Sequence, residues 1–175
     1  MKKLYILLFS SLLIASCSST KNAGTSTDEM VKSAVESKRY IVKIDRLYGR
    51  NGAHFELLPR SNFIIIDGEK AIISAAYFGS QYDIKPIVGL NMRGIAQDYQ
   101  LTSKPSKGSY DIQLRMTNSS GTTFKVFLSV SKKGQCNASV SGLKIESIRY
   151  TGHLVPIPET YQPQQQAPFP DEATI

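Results

Sequence analysis

From Tyr40 onward, apolar residues recur at every second position. Tyr40, Val42 and Ile44 alternate with Ile41, Lys43 and Asp45. Tyr110, Ile112, Leu114 and Met116 alternate with Asp111, Gln113 and Arg115. Phe124, Val126, Leu128 and Val130 alternate with Lys125, Phe127 and Ser129, and Cys136, Ala138 and Val140 with Asn137, Ser139 and Ser141. Successive side chains of a strand point to opposite faces, so a period of two gives one buried face and one wet face, as in an antiparallel sheet. Turn signals punctuate the same stretch: Asn51-Gly52, Pro59-Arg60-Ser61-Asn62, Asp67-Gly68, Asn118-Ser119-Ser120-Gly121 and Lys132-Lys133-Gly134. Asn-Gly and Asp-Gly tolerate the positive φ of tight hairpins. The fold class expected is all-β: an antiparallel meander of about eight or nine strands, closed into a small barrel or folded into a sandwich. Ile84–Gly94 carries Pro86, Gly89 and Gly94 and alternates weakly, so it reads as a longer crossing loop.

The ends of the chain follow other rules. Ser26-Thr27-Asp28-Glu29 has the spacing of a capping box, and Met30, Val31, Ala34 and Val35 share one helical face. One short N-terminal helix is expected over about 27–38, its apolar stripe plugging an end or an edge of the β structure. After Leu154 the alternation stops. The segment "VPIPETYQPQQQAPFPDEATI" holds most of the prolines, and residues 155–175 are expected to form an extended, flexible Pro/Gln-rich tail. The alternative is a partner-binding peptide that uses Tyr161 and Phe169.

The first residues read as an address. Lys2 and Lys3 precede a short apolar run from Leu4 to Ala15. Crossing a bilayer takes roughly 20 apolar residues, so this run reads as the core of a signal peptide, residues 1–16. Ile14-Ala15-Ser16-Cys17 resembles the lipobox of bacterial lipoproteins. That resemblance implies cleavage before Cys17 and lipidation of Cys17, with 17–26 a tether and 27–154 the helix plus β domain. Cys136 then has no intrachain cysteine to pair with, and its alternating neighbours make it a small buried strand residue.

The formal charge is +7. Residues 100–155 carry Lys104, Lys107, Arg115, Lys125, Lys132, Lys133, Lys144 and Arg149 against Asp111 and Glu146. Such a face suits anionic lipid headgroups or an acidic polysaccharide, or is a solvated face with lysine-protected strand edges. No clustered Arg and aromatic pattern of a nucleic-acid reader is present, and no nucleic-acid partner is expected.

The segments "VESKRYIVKIDR" (35–46), "AAYFGSQYD" (75–83), "QDYQLTS" (97–103) and "SIRYTGHL" (147–154), in this order, carry a family resemblance. Over roughly residues 30–154 the chain resembles the lipoprotein family of Bacteroides-type bacteria known as domain of unknown function 4251. The resemblance implies a lipobox signal, one helix, a β-rich body and a Gram-negative envelope, and it supplies no mechanism. The long Pro/Gln tail departs from the family pattern. No acidic run follows Cys17, so the anchor is expected in the outer membrane, facing the periplasm.

Catalytic signals are sparse. The histidines are His54 and His153, and no Cys-x-x-Cys, His-x-x-x-His or His-Glu-x-x-His spacing occurs, so no metal or cofactor is expected. No serine sits in a Gly-x-Ser-x-Gly elbow. Asp67 and Glu69 flank a hairpin glycine, where Asp serves turn geometry. The strongest positive feature is Tyr77, Phe78 and Tyr82 around Gly79, an aromatic turn able to line a barrel mouth and stack on a sugar or a lipid, or to seal one end of the core. The expectation is a membrane-tethered, non-catalytic binding or interaction module that uses a barrel mouth or sheet face, with a glycan, lipid or protein partner. The alternatives are an assembly or scaffold lipoprotein using a sheet edge or the tail, and a hydrolase of envelope polymers.

Overall fold

A computed structural model describes residues 26–49, 52–78, 87–142 and 145–158. Its elements in chain order are α1 (Thr27–Glu36), β1 (Arg39–Tyr48), β2 (His54–Glu56), β3 (Phe63–Asp67), β4 (Lys70–Phe78), β5 (Ile87–Lys104), a single 3-10 turn (Pro105–Lys107), β6 (Ser109–Asn118), β7 (Thr123–Ser131), β8 (Gln135–Gly142) and β9 (Ile145–Pro156). The strands from β3 to β9 pair antiparallel with their chain neighbours, β1 pairs with β3, and β9 returns to pair with β1. That last pairing closes an eight-stranded meander barrel and decides between barrel and sandwich. β2 is an extra short strand on the C-terminal part of β1.

The alternation fills the bore. Tyr40, Val42 and Ile44 of β1, Ile64 and Ile66 of β3, Ile112 and Met116 of β6, Leu128 and Val130 of β7, and Val140 of β8 are each fully buried. Burying such a side chain is worth about 1.5–3 kcal/mol, so the packed bore is the main source of stability. Tyr150 of β9 crosses the bore, and its hydroxyl donates to the Ala76 carbonyl of β4 at 2.9 Å. β1 and β3 separate those two strands around the wall, so the phenol is a strut between opposite sides.

Two stretches differ from the expectation. The segment read as a crossing loop is strand from Ile87 on: β5 pairs with β4 from Phe78↔Ile87 to Lys70↔Ile95. Leu90 and Met92 face inward and are buried. The breaker at Gly94 serves close packing, because a Cβ there would lie 2.2 Å from the Thr117 carbonyl oxygen of β6. Residues 84–86 lie outside the described residues. The strand pattern also runs past Leu154: Val155 and Pro156 pair with Ile41 and Tyr40, and Ile157 is buried. A proline is tolerated at a strand end, where a missing donor breaks no central ladder. The remainder of the tail, with Tyr161 and Phe169, lies outside the described residues.

The capping box at the start of α1 is formed. Ser26 Oγ accepts from the Glu29 N–H at 3.2 Å, and Glu29 Oε2 accepts from the Ser26 N–H at 3.1 Å. The helix ends at Glu36, ahead of the expected 38, because Lys38 adopts a left-handed φ of 56°. Val31, Ala34 and Val35 are buried, but Met30 is 40 % exposed and does not share their face. Each helical residue turns the side chain by about 100°, and Met30 falls outside this narrow stripe.

The stripe closes the barrel end at which β4 begins and β9 finishes. A Cβ on Gly134 would lie 3.7 Å from Val31 Cγ2. Two tyrosine hydroxyls fasten the helix: Tyr99 donates to the Val35 carbonyl at 2.8 Å and Tyr110 to Asp28 Oδ1 at 3.1 Å. Lys132 Nζ pairs with Asp28 Oδ2 at 2.9 Å, and its hydrogen bond holds the Asp28 carboxyl below the usual carboxylate range.

Candidate functional site

The outer wall over β5 to β8 carries rows of polar side chains. Strand register builds it in rows. One row runs Gln100, Gln113, Phe127, Ser139 and Arg149 across five strands. The next runs Gln97, Arg115, Lys125 and Ser141. These are the wet positions of the alternation, so the side chains project from the wall.

A bulge in β5 shapes the surface between the rows. Gln97 faces Arg115 and Gln100 faces Gln113, so β5 carries one extra residue there. Asp98 takes a left-handed φ of 51° and forms an ion pair with Arg115. Tyr99 turns the other way and binds α1, with Lys38 Nζ 5.0 Å from its ring centroid. Two open depressions flank this bulge, and Asp98 and Arg115 line both. The first, of about 480 Å³, includes Lys38, Glu69, Ile95 and Gln97. The second, of about 440 Å³, includes Gln100, Gln113, Lys125, Phe127 and Ser139.

The charges are unevenly matched. Arg115 is neutralised by Asp98, while Lys125 has no acidic partner among the described residues. One row further along the wall, Lys104 Nζ and Ser129 Oγ both bind the Asp111 carboxylate, the serine at 2.8 Å. The Lys104 hydrogen bond is the main cause holding that carboxyl below its ordinary value, against the opposing effect of burial. Asp111 is therefore tied up within the wall, while Lys125 lines the second depression without an acidic partner among the described residues.

Of the aromatic turn proposed from sequence, Tyr77 lies near the end of β4, at the barrel end opposite α1. Tyr77 is half-buried and packs against the core. The backbone of Phe78 pairs with Ile87, while its side chain, Gly79 and Tyr82 lie outside the described residues, as does Cys17. Cys136 is 2 % exposed, and burial pushes its thiol up to about 12, so it packs as a neutral apolar group. His54 and His153 do not meet: the first faces the Tyr48 ring at 6.1 Å, and the second lies 3.4 Å from Asp45 Oδ2. Asp67 serves its turn and pairs with Arg39 at 3.0 Å.

The wall was accessible to sequence reasoning through one signal, the aromatic Phe127 at a wet position between Lys125 and Ser129. Phe127 is 37 % exposed.

A family model described as a domain of unknown function (DUF4251) matches residues 23–154. No curated protein matches the chain. Among solved structures it is similar to that of a DUF4251 family protein from Bacteroides eggerthii, with a TM-score of 0.65 and 14% sequence identity over 77% of this chain and 91% of that one. At that identity the likeness speaks for the fold alone, but the family match spans most of the sequence, and the chain belongs to the DUF4251 family.

Proposed function

We propose that this chain is a lipid-anchored binding module of the Gram-negative envelope, held at the outer membrane facing the periplasm, which meets its ligand on the barrel wall. The observation that carries the binding role is the contrast between bore and wall. The bore is filled by side chains such as Tyr40, Ile44, Ile112, Leu128 and Tyr150, while the wall over β5–β8 holds two open depressions with polar and aromatic linings. Ligand sites are concave and carry a few placed polar groups, a description the wall meets better than the bore.

The anchor rests on Lys2, Lys3, the apolar run and Cys17. Several acyl chains on one cysteine hold a domain at a membrane without a spanning helix, since each buried methylene adds about 0.8 kcal/mol. Among the described residues no helix is long and apolar enough to cross a membrane. The test is metabolic labelling with a fatty acid. The full chain is expected to take up label and Cys17→Ala to lose it; equal labelling of both contradicts the anchor.

Tyr77, Phe78, Gly79 and Tyr82 stand as a second place for a ligand. Tyr77 is half-buried near the end of β4, away from the helix.

A further inference from the structure

We propose that the second depression, between the β5 bulge and β8, binds an acidic oligosaccharide. This inference rests on the reading of the barrel wall as the binding surface and names the ligand class.

A pyranose ring offers an apolar C–H face, vicinal hydroxyls that both donate and accept, and, in an acidic sugar, a carboxylate. The wall presents a counterpart to each. Phe127 is the exposed aromatic of the second depression, and its ring provides a platform for the C–H face. Gln113 stands directly opposite it on β6, with Gln100 beyond on β5. Each amide carries two N–H donors and a carbonyl acceptor, the combination that paired sugar hydroxyls need. Ser139 continues the row on the other side of Phe127.

Three inter-strand steps separate Gln100 from Ser139, about 14 Å, which is the reach of an oligosaccharide and more than one ring requires. Lys125 lies two residues from Phe127 on the same face and has no acidic partner among the described residues, so it is available to a sugar carboxylate. Asp98 quenches Arg115 at the rim, so that among the described lining residues Lys125 is the one cation not paired with an acid. A membrane surface or a polyphosphate favours a row of free cations. One cation among amides and a hydroxyl around an aromatic favours a mostly neutral, hydroxyl-rich chain with occasional carboxylates.

The experiment titrates the purified full chain with tetragalacturonic acid and, separately, with neutral cellotetraose, by calorimetry. Saturable binding of tetragalacturonic acid is expected, at least tenfold tighter than that of cellotetraose. Phe127→Ala is expected to weaken it about tenfold, and Lys125→Gln to remove the preference for the acidic chain. Gln113→Ala is the third variant, expected to weaken both sugars alike; thermal melts matching the wild type establish that the three variants are folded. Absence of saturable binding to either sugar overturns the proposal. If vesicles of phosphatidylglycerol then bind saturably and Phe127→Ala abolishes that, the sugar is wrong and the wall stands. Sugar binding untouched by the three wall variants but lost in Tyr82→Ala places the ligand at the barrel mouth and overturns both the sugar site and the wall.

Discussion

Gly152→Ala is expected to unfold the barrel at its seam. Gly152 on β9 pairs with Ile44 on β1, next to the irregularity between Ile44 and Arg46. A Cβ at this position would lie 2.1 Å from the Lys43 carbonyl oxygen and 2.9 Å from Ile44 Cα. Both neighbours are backbone, so no rotamer change relieves the clash, and β1 and β9 must separate. Overpacking a core costs about 1–3 kcal/mol where side chains can yield; against backbone the cost is expected to exceed about 3 kcal/mol. In a domain of this size that lowers the melting temperature by roughly 10 °C or more. The control is Gly89→Ala, where the new Cβ meets only Asn91 Nδ2 at 3.8 Å. Thermal melts followed by circular dichroism read both variants. A Gly152→Ala melt within about 2 °C of the wild type would contradict the closed seam.

Val35→Asp is the second large effect. Val35 is fully buried at the contact between α1 and the barrel end. A carboxylate placed there would be buried in the apolar core, and an uncompensated buried charge costs about 3–5 kcal/mol. The helix escapes that cost by undocking, which also breaks the bond from Tyr99 to the Val35 carbonyl and uncovers the apolar barrel end. Hydrogen exchange is therefore expected to speed up across residues 27–36, with a lower melting temperature for the whole domain. Met30→Asp, on the exposed side of the same helix, is expected to change stability by less than about 0.5 kcal/mol. Equal protection of the helix amides in Val35→Asp and the wild type would show that α1 is not a structural plug.

These two positions illustrate what was legible in the sequence. The buried stripe of α1 can be read from Val31, Ala34 and Val35, and the wet and dry faces of β6, β7 and β8 from strict alternation. Closure could not be read, because the β1–β9 seam joins residues more than a hundred positions apart and depends on pairing, which period two does not encode. Bulges were hidden for the same reason. Ile44 and Leu47 both face the bore although they are three apart, since the bulge at Asp45 shifts parity. The bulge at Asp98 and Tyr99 does the same in β5 and sends neighbouring side chains to a surface ion pair and to the helix. Gly94 looked like a loop signal because a close approach between strands and a turn both select glycine. The wall site stayed unread for a related reason. Gln100, Gln113, Phe127 and Ser139 come from four strands, and register alone sets them side by side.

The central claim is that the bore is packed and that recognition takes place outside it. The direct measurement is xenon binding in crystals of the protein under pressure, because xenon enters apolar cavities that stay dry. The wild-type bore around Ile44, Ile112 and Leu128 is predicted to show no xenon, while Leu128→Ala, which opens a void at the same place, is predicted to show a bound atom. Xenon in the wild-type bore would contradict the account and return the search for a ligand to the interior.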